Sequence, residues 1–92
     1  MKLMDLQSPE IKNDLAVRLR RIEGQVRGVQ RMLDEDRECP DVLQQLAAIR
    51  SAVHQTSLVL ARAYAARCLQ EPTRGDPEAM LDKLIATLGR LE

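Results

Sequence analysis

Apolar and small residues recur along this chain in alternating steps of three and four, the spacing of a helix that buries one face. The longest such stripe runs through Cys39, Leu43, Leu46, Ile49, Val53, Ser57, Leu60, Tyr64 and Cys68. No proline or glycine interrupts it after Pro40, so a single helix is expected over about 40–70. Pro40 suits a first-turn position, where a missing N–H costs nothing, and this puts Cys39 at or next to the N-cap. An earlier stripe passes through Ile11, Leu15, Leu19, Ile22, Val26, Val29 and Leu33, opened by Ser8-Pro9-Glu10 as cap and first turn. That predicts a helix over about 9–35, ending near Asp34–Arg37. Glu71-Pro72-Thr73-Arg74-Gly75 breaks the second helix, and Asp76-Pro77-Glu78 opens a third over about 77–91 with Met80, Leu81, Leu84, Ile85, Leu88 and Leu91 on one stripe. Residues 1–7 read as a flexible tail. Period-two alternation is missing at any useful length, so no strand is expected.

Phase and length of the second helix set the chemistry. Cys39 and Cys68 are 29 residues apart. At about 100° per residue they project from one face, and at about 1.5 Å per residue they lie about 43 Å apart. They cannot meet within one intact helix. They can meet across chains: an antiparallel second copy that sets Cys39 beside Cys68 pairs residues whose numbers sum to 107, with the symmetry centre between Val53 and His54. Two equivalent Cys39–Cys68′ sites result, as an isologous contact requires.

Ninety-two residues form one small domain with marginal burial, for which oligomerisation is a remedy. The expected fold is all-α: a three-helix protomer, 1–92, forming an antiparallel four-helix-bundle dimer, with a dimer of dimers as the further assembly. Gly24 and Gly28, four apart on one helix, each cost roughly 1 kcal/mol relative to alanine, which points to a close helix contact, with the close approach of a ligand as the alternative. The amino-terminal segment has no apolar core of a leader and no stretch reaches membrane-spanning length, so a cytoplasmic protein without membrane contact is expected. In a reducing compartment two cysteines point to metal or redox chemistry ahead of a structural disulfide.

Formal net charge is zero, but charge is segregated. Lys12, Arg18, Arg20, Arg21, Arg27 and Arg31 face only Asp14 and Glu23 between positions 12 and 31, whereas Asp34, Glu35, Asp36 and Glu38 cluster just beyond. Arg20, Arg27 and Arg31 share one helix face and suit a row of phosphate contacts. No helix-turn-helix or other common docking motif is present.

The run RLRRIEGQVRG at Arg18–Gly28, followed by Cys39-Pro40-Asp41-Val42-Leu43, Gln45 and the step to Cys68, resembles the copper-sensitive operon repressor family, the CsoR/RcnR-type bacterial repressors. The resemblance covers about 10–90. It implies an all-helical homodimer or homotetramer that binds operator DNA and lets go when its inter-protomer cysteine site is occupied. It also implies DNA contact by Arg18 and Arg21, with Arg20, Arg27 and Arg31 beside them. The basic position that the family places near the middle of the second helix is Gln55 here, with Arg50 the nearest arginine.

Copper-sensing members join a cysteine at the start of the second helix to a histidine and a cysteine, four residues apart, near the end of the partner's helix. Cys39 and Cys68 match the cysteines; Tyr64 stands at the histidine position. A neutral phenol is a poor donor for Cu(I). The only histidine, His54, lies about 20 Å from either cysteine by helical rise and reads as a packing or DNA-face residue. A cysteine pair without imidazole resembles the persulfide-sensing branch, the CsoR-like sulfurtransferase repressors. Cys39 near a helix N-terminus meets the positive end of the macrodipole and free N–H groups, which favour thiolate; Arg37 acts with them and Glu38 against.

The reading is therefore a repressor that responds to reactive sulfur species through Cys39 and Cys68, with Tyr64 lining the site and no cofactor. A Cu(I) sensor using the same two thiolates is the alternative. From other classes, a thiol-dependent sulfur-handling protein lacks a general base within helical reach of either cysteine, and a plain helical assembly module would leave the basic face unused.

Overall fold

The computed structural model describes residues 9–70 and 77–90, which form three helices: α1 (Pro9–Asp34), α2 (Cys39–Gln70) and α3 (Pro77–Gly89). The amino-terminal tail, the Glu71–Gly75 break, the Asp76 cap and Leu91 lie outside the described residues, as do the side chains of Cys68, Met80 and Leu88. Pro9 opens α1 and Cys39-Pro40 opens α2, where the first-turn N–H groups have no intrahelical acceptor to lose. The third helix stops at Gly89, two residues short of the expected end.

The joint between α1 and α2 fixes where Cys39 sits. The N–H of Arg37 donates to the Met32 carbonyl at 3.0 Å and that of Asp36 to the Leu33 carbonyl at 3.2 Å. This is the paired 6→1 and 5→2 closure of a Schellman cap, and the residue it forces into the left-handed region is Asp36, at φ 54°. Glu38 then supplies the first acceptor of α2: its carbonyl takes the N–H groups of Asp41 at 3.0 Å and Val42 at 3.2 Å. Cys39 therefore occupies the first helical position and Pro40 the second.

Helices α1 and α2 pack antiparallel, and α3 returns along α2. The core is thin. Leu15, Val29, Val42 and Ala61 are its buried hydrophobics, and none of the described large side chains is fully enclosed. On α3, Leu81 and Leu84 are half-buried while Ile85 is exposed. The accessible surface, 7010 Å², exceeds the roughly 5400 Å² of a compact chain of this mass. The radius of gyration, 16.8 Å, likewise exceeds the roughly 12 Å expected of 92 residues folded on themselves.

Among the described residues, exposed apolar surface gathers on a defined side. Leu19, Val26 and Leu33 of α1 and Leu43, Leu46, Val53 and Leu60 of α2 are exposed, although they belong to the stripes that a buried face requires. The glycines do not play the expected part. A Cβ at Gly24 or Gly28 would meet nothing within 4 Å, so close packing within this chain does not explain them. The reason is phase: α1 turns Leu15 and Val29 to α2, and both glycines fall on the far side among Arg20, Arg27 and Arg31.

Candidate effector site and nucleic-acid face

Cys39 stands exposed on the first turn of α2. Arg37, one residue before the helix cap, reaches forward over this turn, and its Nη2 lies 4.0 Å from Asp41 Oδ2. The Arg37 guanidinium charge at this end of α2 is thus shared with a carboxylate. The backbone of Cys68 belongs to the same unbroken helix, so the two cysteine positions remain about 43 Å apart along its axis. Tyr64, one turn before Cys68, is half-buried. Among the described residues no group of three or more His, Cys, Asp or Glu converges within one chain.

Between the cysteine positions lies an open groove of about 870 Å³ along α2, bordered by Leu46, Arg50, Val53, His54 and Ser57. Its phase is that of the cysteines: relative to the point midway between residues 53 and 54, Arg50, Ser57, Cys39 and Cys68 all lie within about 10° of one direction. Two hydroxyls on this stretch of α2 are engaged by its own backbone. Thr56 donates to the Ala52 carbonyl at 2.8 Å and Ser57 to the Val53 carbonyl at 3.0 Å. His54 is half-buried beside the groove, and Gln55 is exposed.

On α1 the arginines divide into held and free groups. Arg18 Nε donates to Asp14 Oδ1 at 2.8 Å, and Arg27 Nη2 lies 3.7 Å from Glu23 Oε2. Arg20 Nε donates to the Ala16 carbonyl at 3.4 Å. Among the described residues no ion pair engages Arg20, Arg21, Arg31 or Arg50. Arg20, Arg21, Arg27 and Arg31 are exposed, with Gly24 and Gly28 interleaved. Backbone without Cβ cover beside solvent-exposed guanidinium groups leaves room for an extended anion to approach closely. Sequence reasoning singled out both the arginines and the glycines but placed them in separate roles; their common face on α1 was available from the 100° step.

Comparison with known proteins follows this geometry closely in extent. A family described as metal-sensitive transcriptional repressor matches residues 11–90, from the first turn of α1 to the end of α3. The copper-sensing transcriptional repressor CsoR of Bacillus subtilis (strain 168) is 36% identical over 85 residues, covering 91% of this chain and 84% of that protein. The copper-sensing transcriptional repressor RicR of Mycobacterium tuberculosis (strain ATCC 25618 / H37Rv) is 41% identical over 83 residues, covering 87% of this chain and 86% of its own. With its helices matched nearly end to end, this chain belongs to the metal-sensitive transcriptional repressor family, whose members regulate transcription and are not enzymes.

Proposed function

We propose that this repressor is a symmetric assembly that holds operator DNA through α1 and releases it when two Cys39–Cys68′ sites, each shared between chains, capture Cu(I). The observation that carries the reading is the unsatisfied face of α2. One direction of that helix holds both cysteine positions, the groove, and exposed Leu43, Leu46 and Val53. An antiparallel second copy would cover this apolar surface and bring Cys39 of each chain to Cys68 of the other. Leu19, Val26 and Leu33 of α1 would join the same bundle. A dimer of dimers extends the scheme.

Copper takes precedence over reactive sulfur because both relatives are copper-sensing proteins and two thiolates suffice for a soft ion that tolerates low coordination. This reverses the order that the sequence alone suggests. Cys39 and Cys68′ would hold the ion. Tyr64, at the position where an imidazole is expected, lines the site without supplying a competitive donor. A Cu(I) bridge ties the start of one α2 to the end of the other and so biases the relative placement of the two α1 arginine faces.

Tyr64 keeps the second reading in play. Without an imidazole the site is a pair of thiols, and an exposed Cys39 thiolate can attack a sulfane sulfur, taking it as a persulfide and expelling the donor thiolate. Attack by the Cys68′ thiolate on Cys39 Sγ would then expel hydrosulfide and close an inter-protomer disulfide. Arg18, Arg20, Arg21, Arg27 and Arg31 of α1, with Arg50 of α2, supply the DNA contacts in both readings.

Operator binding measured side by side with reduced, Cu(I)-loaded and polysulfide-treated protein tests the proposal. Release by stoichiometric Cu(I) alone supports it. Release by polysulfide alone, with a crosslinked dimer in the mass spectrum, transfers the assignment to reactive sulfur.

A further inference from the structure

We infer that the twofold seam between the two α2 helices carries an oxyanion site, built from Arg50 and His54 of both copies and suited to a phosphate group. The inference rests on the Cys39–Cys68′ register proposed above. With that register the symmetry centre lies between Val53 and His54, so the two His54 positions are offset by only about 1.5 Å along the helix axes. His54 and Val53 lie about 50° to opposite sides of the seam direction. A twofold perpendicular to the helix pair keeps each residue on its own side. The two Val53 therefore meet on one flank and the two His54 on the other, with Cβ atoms about 5 Å apart at an interhelical distance of 8–10 Å.

The Val53 flank is the side on which Val42 and Ile49 pack toward α1, so it faces the bundle interior. On the His54 flank the open groove reaches Ala47, Arg50, Ser51 and His54, and farther along the same side Leu58 is half-buried and Ala61 buried. Arg50 points within about 10° of the seam, and the two copies lie about 5 Å to either side of the twofold along the axis. Two guanidinium and two imidazole groups thus converge, within side-chain reach, on one point of the symmetry axis.

Nothing on the helix neutralises them. Between Asp41 and Glu71 the sequence has no carboxylate, while Arg50, Arg62 and Arg67 fall in that interval. The carboxylates in the described ion pairs, Asp14, Glu23 and Asp41, are engaged with Arg18, Arg27 and Arg37. Two converging guanidinium cations in a partly desolvated seam are costly without a counter-ion, and a guanidinium supplies the forked donors that a phosphate accepts. A tetrahedral oxyanion also has the twofold symmetry of the axis. A divalent metal is the poorer occupant, because two arginines would repel it.

His54 is the sole histidine, so its Cε1 proton gives one isolated NMR signal for the site. The reduced protein is titrated with inorganic phosphate and, separately, with a short duplex DNA of unrelated sequence, at constant ionic strength. A saturable shift with phosphate assigns the site to a free oxyanion; a shift with duplex alone assigns it to backbone phosphate. In either case Arg50→Gln should raise the half-saturation concentration at least about tenfold, two charge-assisted contacts being lost at once. Phosphate should raise the melting temperature of the wild type and not that of His54→Gln. An unmoved His54 signal with both ligands, in protein whose Cys39 and Cys68 still form an inter-chain crosslink, overturns the inference and leaves the register standing. A chain whose cysteines cannot be crosslinked overturns both.

Discussion

Arg18 is held by Asp14, one helical turn earlier, through a 2.8 Å Nε to Oδ1 hydrogen bond in a pair that is 39% and 46% exposed. An arginine at the opening of the basic run is thus pre-positioned, and its charge is partly spent before DNA arrives. Both groups see water, so the pair contributes only about 0.3–0.5 kcal/mol to the helix. Replacing Asp14 by Asn should leave the melting temperature nearly unchanged. Operator affinity should rise, about two- to fivefold at low salt, because one competing negative charge is removed. Anisotropy titrations at two salt concentrations check this, and the gain should shrink at the higher one.

Gly24 and Gly28 have open space where a Cβ would stand, on the face that bears Arg20, Arg27 and Arg31. Gly24→Ala should therefore stabilise α1, by up to about 1 kcal/mol, through helix propensity alone. If the DNA backbone lies against this face, the same change weakens operator binding without altering the response of the cysteine site. Thermal unfolding and DNA titration of one variant separate the two effects.

Asp36 adopts φ 54° at the end of α1, where glycine is the usual occupant. Asp36→Gly should raise stability by about 0.5–1 kcal/mol, the relief of the left-handed backbone outweighing the added freedom of the unfolded chain. Urea denaturation is the readout. Because glycine adopts the same left-handed turn and so keeps the position of Cys39, the effector response should remain intact.

Tyr64→His supplies the imidazole one turn before Cys68. Cu(I) affinity, measured by competition with a chromophoric chelator, should increase by at least about tenfold for an added matched donor. Oxidative crosslinking between Cys39 and Cys68′ should be unaffected.

The helices were legible because proline and cap residues punctuate the chain: Pro9, Pro40 and Pro77 all fall in first turns. The shared face of Cys39 and Cys68 followed from counting. Asp36 escaped notice because an aspartate in the left-handed region leaves no glycine signal. The partner of Gly24 and Gly28 was not legible because propensity reports a cost without saying which neighbour justifies it; the direction of Leu15 and Val29 shows that α2 is on the other side. Arg50 and His54 carry no local motif. The relationship proposed for them exists only across a twofold, through the proposed Cys39–Cys68′ register.

Each effector site is proposed to take Cys39 from one chain and Cys68 from another. Neither Cys39→Ser nor Cys68→Ser alone leaves a complete site, but a heterodimer of the two variants regains one. Operator release by Cu(I) should be lost in each variant alone and return when the two are unfolded together and refolded as a mixture, each heterodimer taking half the copper of a wild-type dimer. If the mixture responds no better than its components, or if either variant alone still releases DNA at stoichiometric Cu(I), the shared site is contradicted.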